Sequence, residues 1–433
     1  CSTRRKLGFR PSFCSRWFRG MSVNYIRSIR EDVKMIKAGY GELLEDDGVI
    51  SVGWVPEEQM PLLFNVSDIY LQPFYISNHK QEKEAKMTDA IRFGVIGCGR
   101  MGMRRIERIS RHPNAALICV ADVQGEKAKA AGERYGVEYF TDFNKVINRR
   151  DVECVVISVP NKFHAPISIW AMENGKHVFC EKPMARNPEE AKRMVEASVK
   201  NEVCLKVGSN LRYFPSVQKT KELLDNSAIG TILFIRGWIG NSGWQLNNSW
   251  FSNIEMAGGG TFLDNGCHLL DICRWFLGEV EECIGDVSRM YHSIDVEDNG
   301  FGIFKFSNGK YAFVQSSWTE WADYMYMEIY GTEGYIRIDD RNPNCKMILG
   351  KKDGYQQIYD YSRLPPQSYD VEFNEFMNAL LNNSHPEPNG FDGLRAVQMA
   401  FGVYESARTG KKAKIWGKEE EDLFRLYKKK GWC

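Results

Sequence analysis

No apolar run in the chain reaches the roughly twenty residues that a membrane-crossing helix needs, so no spanning helix and no membrane partner are expected. Neither charge is in surplus, with 57 Lys and Arg against 56 Asp and Glu. That balance gives no electrostatic footing for nucleic acid or an anionic surface as the main partner. The 12 cysteines contain no CxxC pair, so neither a zinc site nor a disulfide framework is expected, and no metal centre is assigned. Cys119, Cys154, Cys180 and Cys204 sit inside apolar runs, as the buried reduced thiols of a cytoplasmic protein do. Internal repeats and low-complexity tracts are missing too. What the chain does have is core material: 43% hydrophobic and 12% aromatic residues over 433 positions, enough for two or three domains.

The chain opens on Cys1, and no acidic residue precedes Glu31. An Arg-rich, acid-poor leader has the composition of an organellar transit peptide. Pro11 and the Phe13-Cys14-Ser15 that follow spoil a clean amphipathic helix, which favours upstream sequence or a joined fragment instead. A charged run, Lys80 to Lys86, separates two differently organised stretches. Before it, Asp32 to Lys37 reads as helical, Val49 to Val52 as β-rich, Pro56 to Phe64 as helix-like and Asp68 to Phe74 as β-rich. The stretch Gly53 to Tyr75 (GWVPEEQMPLLFNVSDIYLQPFY) resembles part of the C-terminal domain of a retaining GT-B glycosyltransferase. The acidic donor-sugar motif that the resemblance implies should follow, but Ile76-Ser77-Asn78 and the charged run stand there instead. Residues 1–86 are therefore read as a partial transferase-like fragment and linker, with no transferase activity.

From Met87 the pattern is continuous. Apolar strands at Ile91 to Gly97, Ala115 to Asp122, Val152 to Val159, His177 to Cys180 and Val203 to Gly208 alternate with helices. This rhythm predicts a doubly wound parallel sheet over residues 87–210. From Thr231 long β-branched and aromatic strands take over: Thr231 to Gly240, Gly300 to Phe306, Tyr311 to Trp318, Met325 to Tyr330 and Tyr335 to Ile338. Two helices, roughly Tyr369 to Leu381 and Gly393 to Thr409, close the chain. Residues 211–433 are thus expected to form an α+β domain with a large, mostly antiparallel sheet, and to bind substrate.

The first strand of the parallel set runs into Gly97-Cys98-Gly99-Arg100-Met101-Gly102 at a helix start. GxGxxG alone is a weak signal, but strand, turn and helix are all in register here, and Asp122 ends the next strand at about the expected distance. Gly97 permits the tight turn, Gly99 the approach of a pyrophosphate, and Gly102 close packing of helix on strand. The carboxylate of Asp122 suits ribose hydroxyls and repels a 2′-phosphate. NAD(H) is expected, with NADP(H) kept open by nearby Lys127 and Lys129.

Four further motifs narrow the class: Ser158-Val159-Pro160-Asn161 with His164; Cys180-Glu181-Lys182-Pro183; Asn210-Leu211-Arg212-Tyr213; and Gly258-Gly259-Gly260 leading to Asp264, Gly266, His268 and Asp271. Together they resemble the Gfo/Idh/MocA oxidoreductases, the glucose–fructose oxidoreductase and inositol dehydrogenase type, from Ile91 to the Gly331-Thr332-Glu333-Gly334 turn. The resemblance implies a Rossmann domain. It implies cofactor contacts from Gly97, Gly99, Arg100, Met101, Gly102, Asp122, Ser158, Pro160, Asn161, His164, Glu181 and Lys182. Catalysis falls to Lys182, Asp264 and His268, and substrate contacts to Asn210, Arg212, Asp264 and His268. Trp244 and Trp250, with Asn241, Asn247 and Asn248 nearby, add aromatic faces and amides suited to a sugar ring, although sheet packing explains aromatics equally well.

Alcohol oxidation needs a base for the hydroxyl proton and a cation for the developing alkoxide. Lys182 follows the fifth strand at the ligand-binding edge of the sheet. Asp264 and His268 lie four apart and so share a face, with Gly266 between them leaving room for nicotinamide or sugar. Alone, each has an ordinary structural reading; as a set they read as a reaction centre. The expected activity is NAD(P)-dependent oxidation of a sugar, cyclitol or sugar derivative by a homodimer or homotetramer joined through the C-terminal sheet. The rivals are an NAD-dependent glycosidase working by transient oxidation and elimination, and a non-catalytic dinucleotide-binding regulator.

Overall fold

The computed structural model describes residues 35–38, 49–52 and 90–429, apart from 248, 341–344, 365–366 and 416. The chain divides into two compact units, Cys1–Thr88 and Asp89–Cys433. In the first, strands Met35–Ala38 and Val49–Val52 pair in parallel, with Met35 opposite Val49. The helix expected over Asp32 to Lys37 is therefore corrected: from Met35 the backbone is extended, set by a partner strand that local spacing does not reveal. The transferase-like stretch, residues 53–75, lies outside the described residues, as do the leader and Asn248.

The second unit begins with a six-stranded parallel sheet. Its strands are β1 (Ile91–Ile96), β2 (Ala115–Ala121), β3 (Glu138–Phe140), β4 (Cys154–Ile157), β5 (His177–Glu181) and β6 (Leu205–Gly208). Their spatial order is β3-β2-β1-β4-β5-β6, so the strand order reverses between β1 and β4, where a doubly wound fold opens its ligand crevice. The inner strands are buried on both faces, which is why they read as unbroken apolar runs. Helices α1 (Arg100–Arg111) and α2 (Gly125–Tyr135) cover one face. The other is packed by α3 (His164–Glu173) and α4 (Pro188–Asn201).

The larger sheet has nine strands: β7 (Ile232–Gly240), β8 (Val280–Ser288), β9 (Asn299–Phe306), β10 (Tyr311–Ser317), β11 (Tyr324–Gly331), β12 (Gly334–Asp339), β13 (Lys346–Lys351), β14 (Gln356–Asp360) and β15 (Ala413–Lys414). Their order is β14-β13-β12-β11-β7-β10-β9-β8-β15; every pairing is antiparallel except β7 with β10. The short helix α5 (Thr261–Asp264) and the longer α6 (Gly266–Leu277) bury Phe262, Leu269 and Leu270 against one face. The opposite face leaves Leu233, Phe301, Ile303, Tyr311 and Phe313 exposed.

Helix α7 (Ser368–Leu381) returns to the parallel sheet, although it lies far beyond residue 211. Phe373 and Phe376 pack with Phe93 and Phe179, their ring centroids 5.3 to 6.4 Å apart. Helix α8 (Gly390–Thr409) packs into a second core, which joins the other face of the parallel sheet to the larger sheet, and a further helix, Lys418–Lys429, follows it. The chain therefore does not divide its packing at residue 210. A buried ion triad supports the return, since Arg105 on α1 donates to Glu181 at the end of β5 and to Glu372 on α7, each at 2.6 Å.

Candidate active site

A cavity of about 1180 Å³ opens at the C-terminal edge of the parallel sheet and reaches the larger sheet. Its nucleotide end is built by backbone. Gly97 holds φ at +95°, and a Cβ there would stand 2.2 Å from the Ser158 carbonyl oxygen. A Cβ on Gly102 would stand 1.8 Å from the Gly97 carbonyl, so α1 reaches the turn only because residue 102 has no side chain. Beside Gly99 a Cβ would meet nothing within 4 Å, which leaves the approach to the helix start open. No side chain caps α1 and no acid sits in its first turn, so its N–H groups and positive end remain available to an anion.

Asp122, just past β2, accepts hydrogen bonds from the N–H groups of Cys98 and Gln124, both at 2.8 Å. Its carboxylate is thereby fixed at the cavity wall, with Lys127, Thr141 and Phe143 alongside. Ser158 Oγ is buried there without a hydrogen-bond partner among the described residues. Open helix end, fixed acid and orphaned hydroxyl together fit a dinucleotide.

The other end of the cavity lies where β5 meets α5 and α6. Lys182 Nζ donates to Asp264 Oδ1 at 2.8 Å and to the Asp264 carbonyl at 3.1 Å. Burial opposes the Lys182 ammonium, but Asp264, aided by Cys267 and Tyr369, outweighs it and holds its pKa above the ordinary lysine value. Lys182 is therefore a permanent cation at neutral pH. His268 is held the other way: burial, reinforced by the Lys182 charge, drives its pKa well below the ordinary histidine value. At neutral pH it is an uncharged ring able to take a proton.

Hydrogen-bond polarity fixes which nitrogen can do so. Arg212 forks onto Asp271, Nε to Oδ2 at 2.7 Å and Nη2 to Oδ1 at 2.6 Å. Asp271 Oδ2 accepts from Ser209 Oγ at 3.1 Å, so the Ser209 proton is committed to that carboxylate. Ser209 Oγ also lies 3.4 Å from His268 Nδ1 and can only accept from it. The neutral ring then carries its proton on Nδ1 and its lone pair on Nε2.

The structure brings most of the expected residues to this cavity, among them Arg100, Met101, Pro160, Asn161, His164, Glu181, Asn210, Trp244 and Trp250. Their side chains act differently from one another. Arg100 stacks over Trp244, 4.6 Å from the ring centroid, so the glycine-rich turn and the loop after β7 meet there. Asn161 Nδ2 donates to the Ala257 carbonyl at 2.8 Å, and Asn210 Nδ2 donates to Ser368 Oγ at 3.1 Å. His164 sets its ring nitrogens 2.9 and 2.8 Å from the carbonyls of Pro183 and Val159, tying two loops together. Burial lowers its pKa against those two hydrogen bonds.

Two expectations need correction. Arg212 does not reach the cavity, because its guanidinium is 2% exposed and spent on Asp271. Gly266 does not open the site either; a Cβ there would stand 3.4 Å from Ser316 and 3.5 Å from Phe262, so the glycine faces the sheet and α5 and not the cavity.

Sequence reasoning missed Ser209, Gln245 and Asn265. Gln245 Oε1 and Asn265 Nδ2 line the cavity, buried and without partners among the described residues. Asn265 sits inside the Asp264–His268 motif and could have been singled out there. Ser209 is marked only by its place after β6. Among the described residues no cluster of three or more His, Cys, Asp or Glu could hold a metal ion, and no helix is long and apolar enough to cross a membrane.

A parallel sheet in this order, ending in this glycine turn and facing a lysine–aspartate–histidine set, defines an NAD(P)-dependent oxidoreductase. Residues 91–209 match the oxidoreductase family with an NAD-binding Rossmann fold, and residues 217–337 the GFO/IDH/MocA C-terminal domain. An uncharacterized oxidoreductase of Bacillus subtilis is 28% identical over 339 residues, covering 75% of this chain and 96% of the relative. Inositol 2-dehydrogenase of Rubrobacter xylanophilus is 28% identical over 349 residues, covering 78% and 97%. A solved levoglucosan dehydrogenase in complex with NADH superposes with a TM-score of 0.71 at 25% identity, over 76% of this chain and all of its own. The chain belongs to the Gfo/Idh/MocA family of oxidoreductases.

Proposed function

We propose that the protein interconverts a secondary hydroxyl and a carbonyl on a sugar, cyclitol or sugar derivative, with Lys182, Asp264 and His268 at the reacting carbon. The observation that carries this reading is the placement of orphaned Asn265 Nδ2 and Gln245 Oε1 in the same cavity as the Lys182–Asp264 pair and His268. One unmet donor and one unmet acceptor beside the reaction centre suit a ring carrying several hydroxyls. Relatives named for inositol and levoglucosan support the same substrate class.

Bound NAD(P) supplies the hydride acceptor. His268 Nε2 takes the hydroxyl proton as the carbon–hydrogen bond breaks, while Lys182 stabilises the negative charge that gathers on oxygen. Asp264 keeps that lysine charged and aimed. The fixed carboxylate of Asp122 favours NAD over NADP, because a 2′-phosphate would face it at close range. We further propose that the exposed apolar face around Phe301, Ile303 and Phe313 joins copies of the chain, with light scattering at micromolar concentration expected to show a dimer or tetramer.

A panel of polyols, sugars and glycosides incubated with protein and NAD tests the function. Accumulating NADH with a matching ketone is the expected result. Glycoside cleavage without NADH accumulation would mean that the cofactor recycles within one turnover, and that the protein is a glycosidase.

A further inference from the structure

The cavity does not end at His268. It continues along the end of the larger sheet, where Ile239 lies one residue before the end of β7, Met325 one after the start of β11, and Asp340 follows β12. Phe214, Tyr361 and Leu364 complete this arm from neighbouring loops. None of these six residues belongs to the nucleotide loop or to the proton-accepting chain, so hydride transfer alone leaves the arm without a purpose. Its surface is mainly apolar, and Met325 and Ile239 are almost fully buried.

The one acid in this group of six is anchored. Asp340 Oδ2 accepts from Ser216 Oγ at 2.7 Å, and Oδ1 has no hydrogen-bond partner among the described residues. Burial pushes the Asp340 carboxyl up to about 6, as an apolar surrounding does.

We infer that the substrate is a glycoside and that the arm holds its aglycone, an aromatic ring bearing a hydroxyl that donates to Asp340. This rests on the reading of Lys182 and His268 as the hydride-transfer site. A second sugar ring fits less well, because the lining here is mostly apolar, with Phe214, Ile239, Met325 and Leu364 set against few polar groups such as Asp323, Tyr361 and Ser362. An aromatic ring satisfies the apolar walls, and one hydroxyl satisfies Asp340.

The test compares free glucose and galactose with their phenyl and 4-hydroxyphenyl β-glycosides, using NAD and the full chain, before and after Leu364→Trp. Leu364 is 48% exposed, so the larger side chain can be placed without disturbing the core while it fills the arm. Each glycoside is expected to exceed its free sugar in kcat/KM by tenfold or more, with the hydroxyphenyl form ahead of the phenyl form. In Leu364→Trp that advantage should fall below threefold. Calorimetric binding to the NADH-loaded protein gives a second readout. Aryl glycosides that bind tightly without being oxidised would uphold the arm and sink the dehydrogenase reading. Equal handling of sugar and glycoside, an aryl advantage that survives Leu364→Trp, or no binding at all would overturn the arm.

Discussion

The two ends of the cavity are built by different means. At the end proposed to hold the nucleotide, the contacts fall to six consecutive residues and one acid, mostly through backbone. At the reacting end, Lys182 follows β5, Asp264 and His268 come from α5 and α6, Ser209 follows β6, and Gln245 lies on a loop after β7. A nucleotide presents the same pyrophosphate to every protein that binds it, so a turn that offers N–H groups is a complete solution. A reacting carbon needs a cation, a base and ring-specific partners at fixed distances, which no single turn can supply. Substitutions at the reacting end should therefore change rate and leave cofactor affinity alone, while those at the nucleotide end do the reverse.

The largest expected effect tests that split. Lys182→Ala should lower kcat by about a hundredfold or more, the scale of losing one positioned electrostatic donor, with NADH affinity within about threefold of the parent. His268→Ala should cost about as much. In the parent, the acid limb of kcat/KM should fall well below the ordinary histidine value of about 6.5, because the base works when deprotonated and burial keeps it so. That limb should vanish in His268→Ala. Unchanged kcat in both variants would break the comparison and favour a non-catalytic regulator. At the opposite end, Gly102→Ala forces the turn or α1 to shift, since the new Cβ would meet backbone at 1.8 Å. Overpacking of about 1–3 kcal/mol predicts NADH affinity reduced by roughly tenfold, measured by nicotinamide fluorescence, with kcat at saturation much less affected.

Ser209→Ala should come next, at about a fivefold to tenfold loss in kcat. Without Ser209 the Nδ1 proton has no acceptor, and part of the protein holds the tautomer with its lone pair on the wrong nitrogen. Ser209→Thr restores the hydroxyl and should recover most of the rate, whereas a merely structural role would not distinguish the two. A smaller change is expected at Asp122→Ser, which removes the charge facing a 2′-phosphate. The preference for NADH over NADPH should narrow severalfold by titration, and tighter NADPH binding in the parent would refute the assignment of Asp122.

This contrast also explains what the sequence allowed to be read. Gly97, Gly102, Asp122, Lys182, Asp264 and His268 stood in motifs whose chemistry is local. Ser209 did not, because its partners Asp271 and His268 lie 62 and 59 residues away. Arg212 was legible as important and misplaced, since a motif marks that an arginine is needed but not which way it points. Strand β3 escaped notice at three residues, and β8, β13 and β14 carry too many charged, glycine or glutamine residues to stand out as apolar runs. Their extended conformation comes from paired neighbours distant in sequence. The same holds for Met35–Ala38, whose residues suit a helix until a parallel partner is supplied.

The smallest expected effect concerns residues 1–86. The family match begins at residue 91, and the relative from Bacillus subtilis is aligned over 96% of its own length by 339 residues. Asp89–Cys433 holds both sheets, the cavity and a continuous core of its own, and every residue assigned here to cofactor, proton or substrate lies within it. Stability in a domain of this kind comes from apolar burial and satisfied backbone within the unit. A chain beginning at Met87 should therefore fold, melt within a few degrees of the full chain, bind NADH with affinity unchanged within twofold, and turn over the same substrate at the same rate. Thermal unfolding, NADH titration and steady-state kinetics on the two chains decide the point. Insoluble protein or lost turnover in the shorter chain would make residues 1–86 a working part of the oxidoreductase, and the division between a joined fragment and a self-sufficient unit would fall.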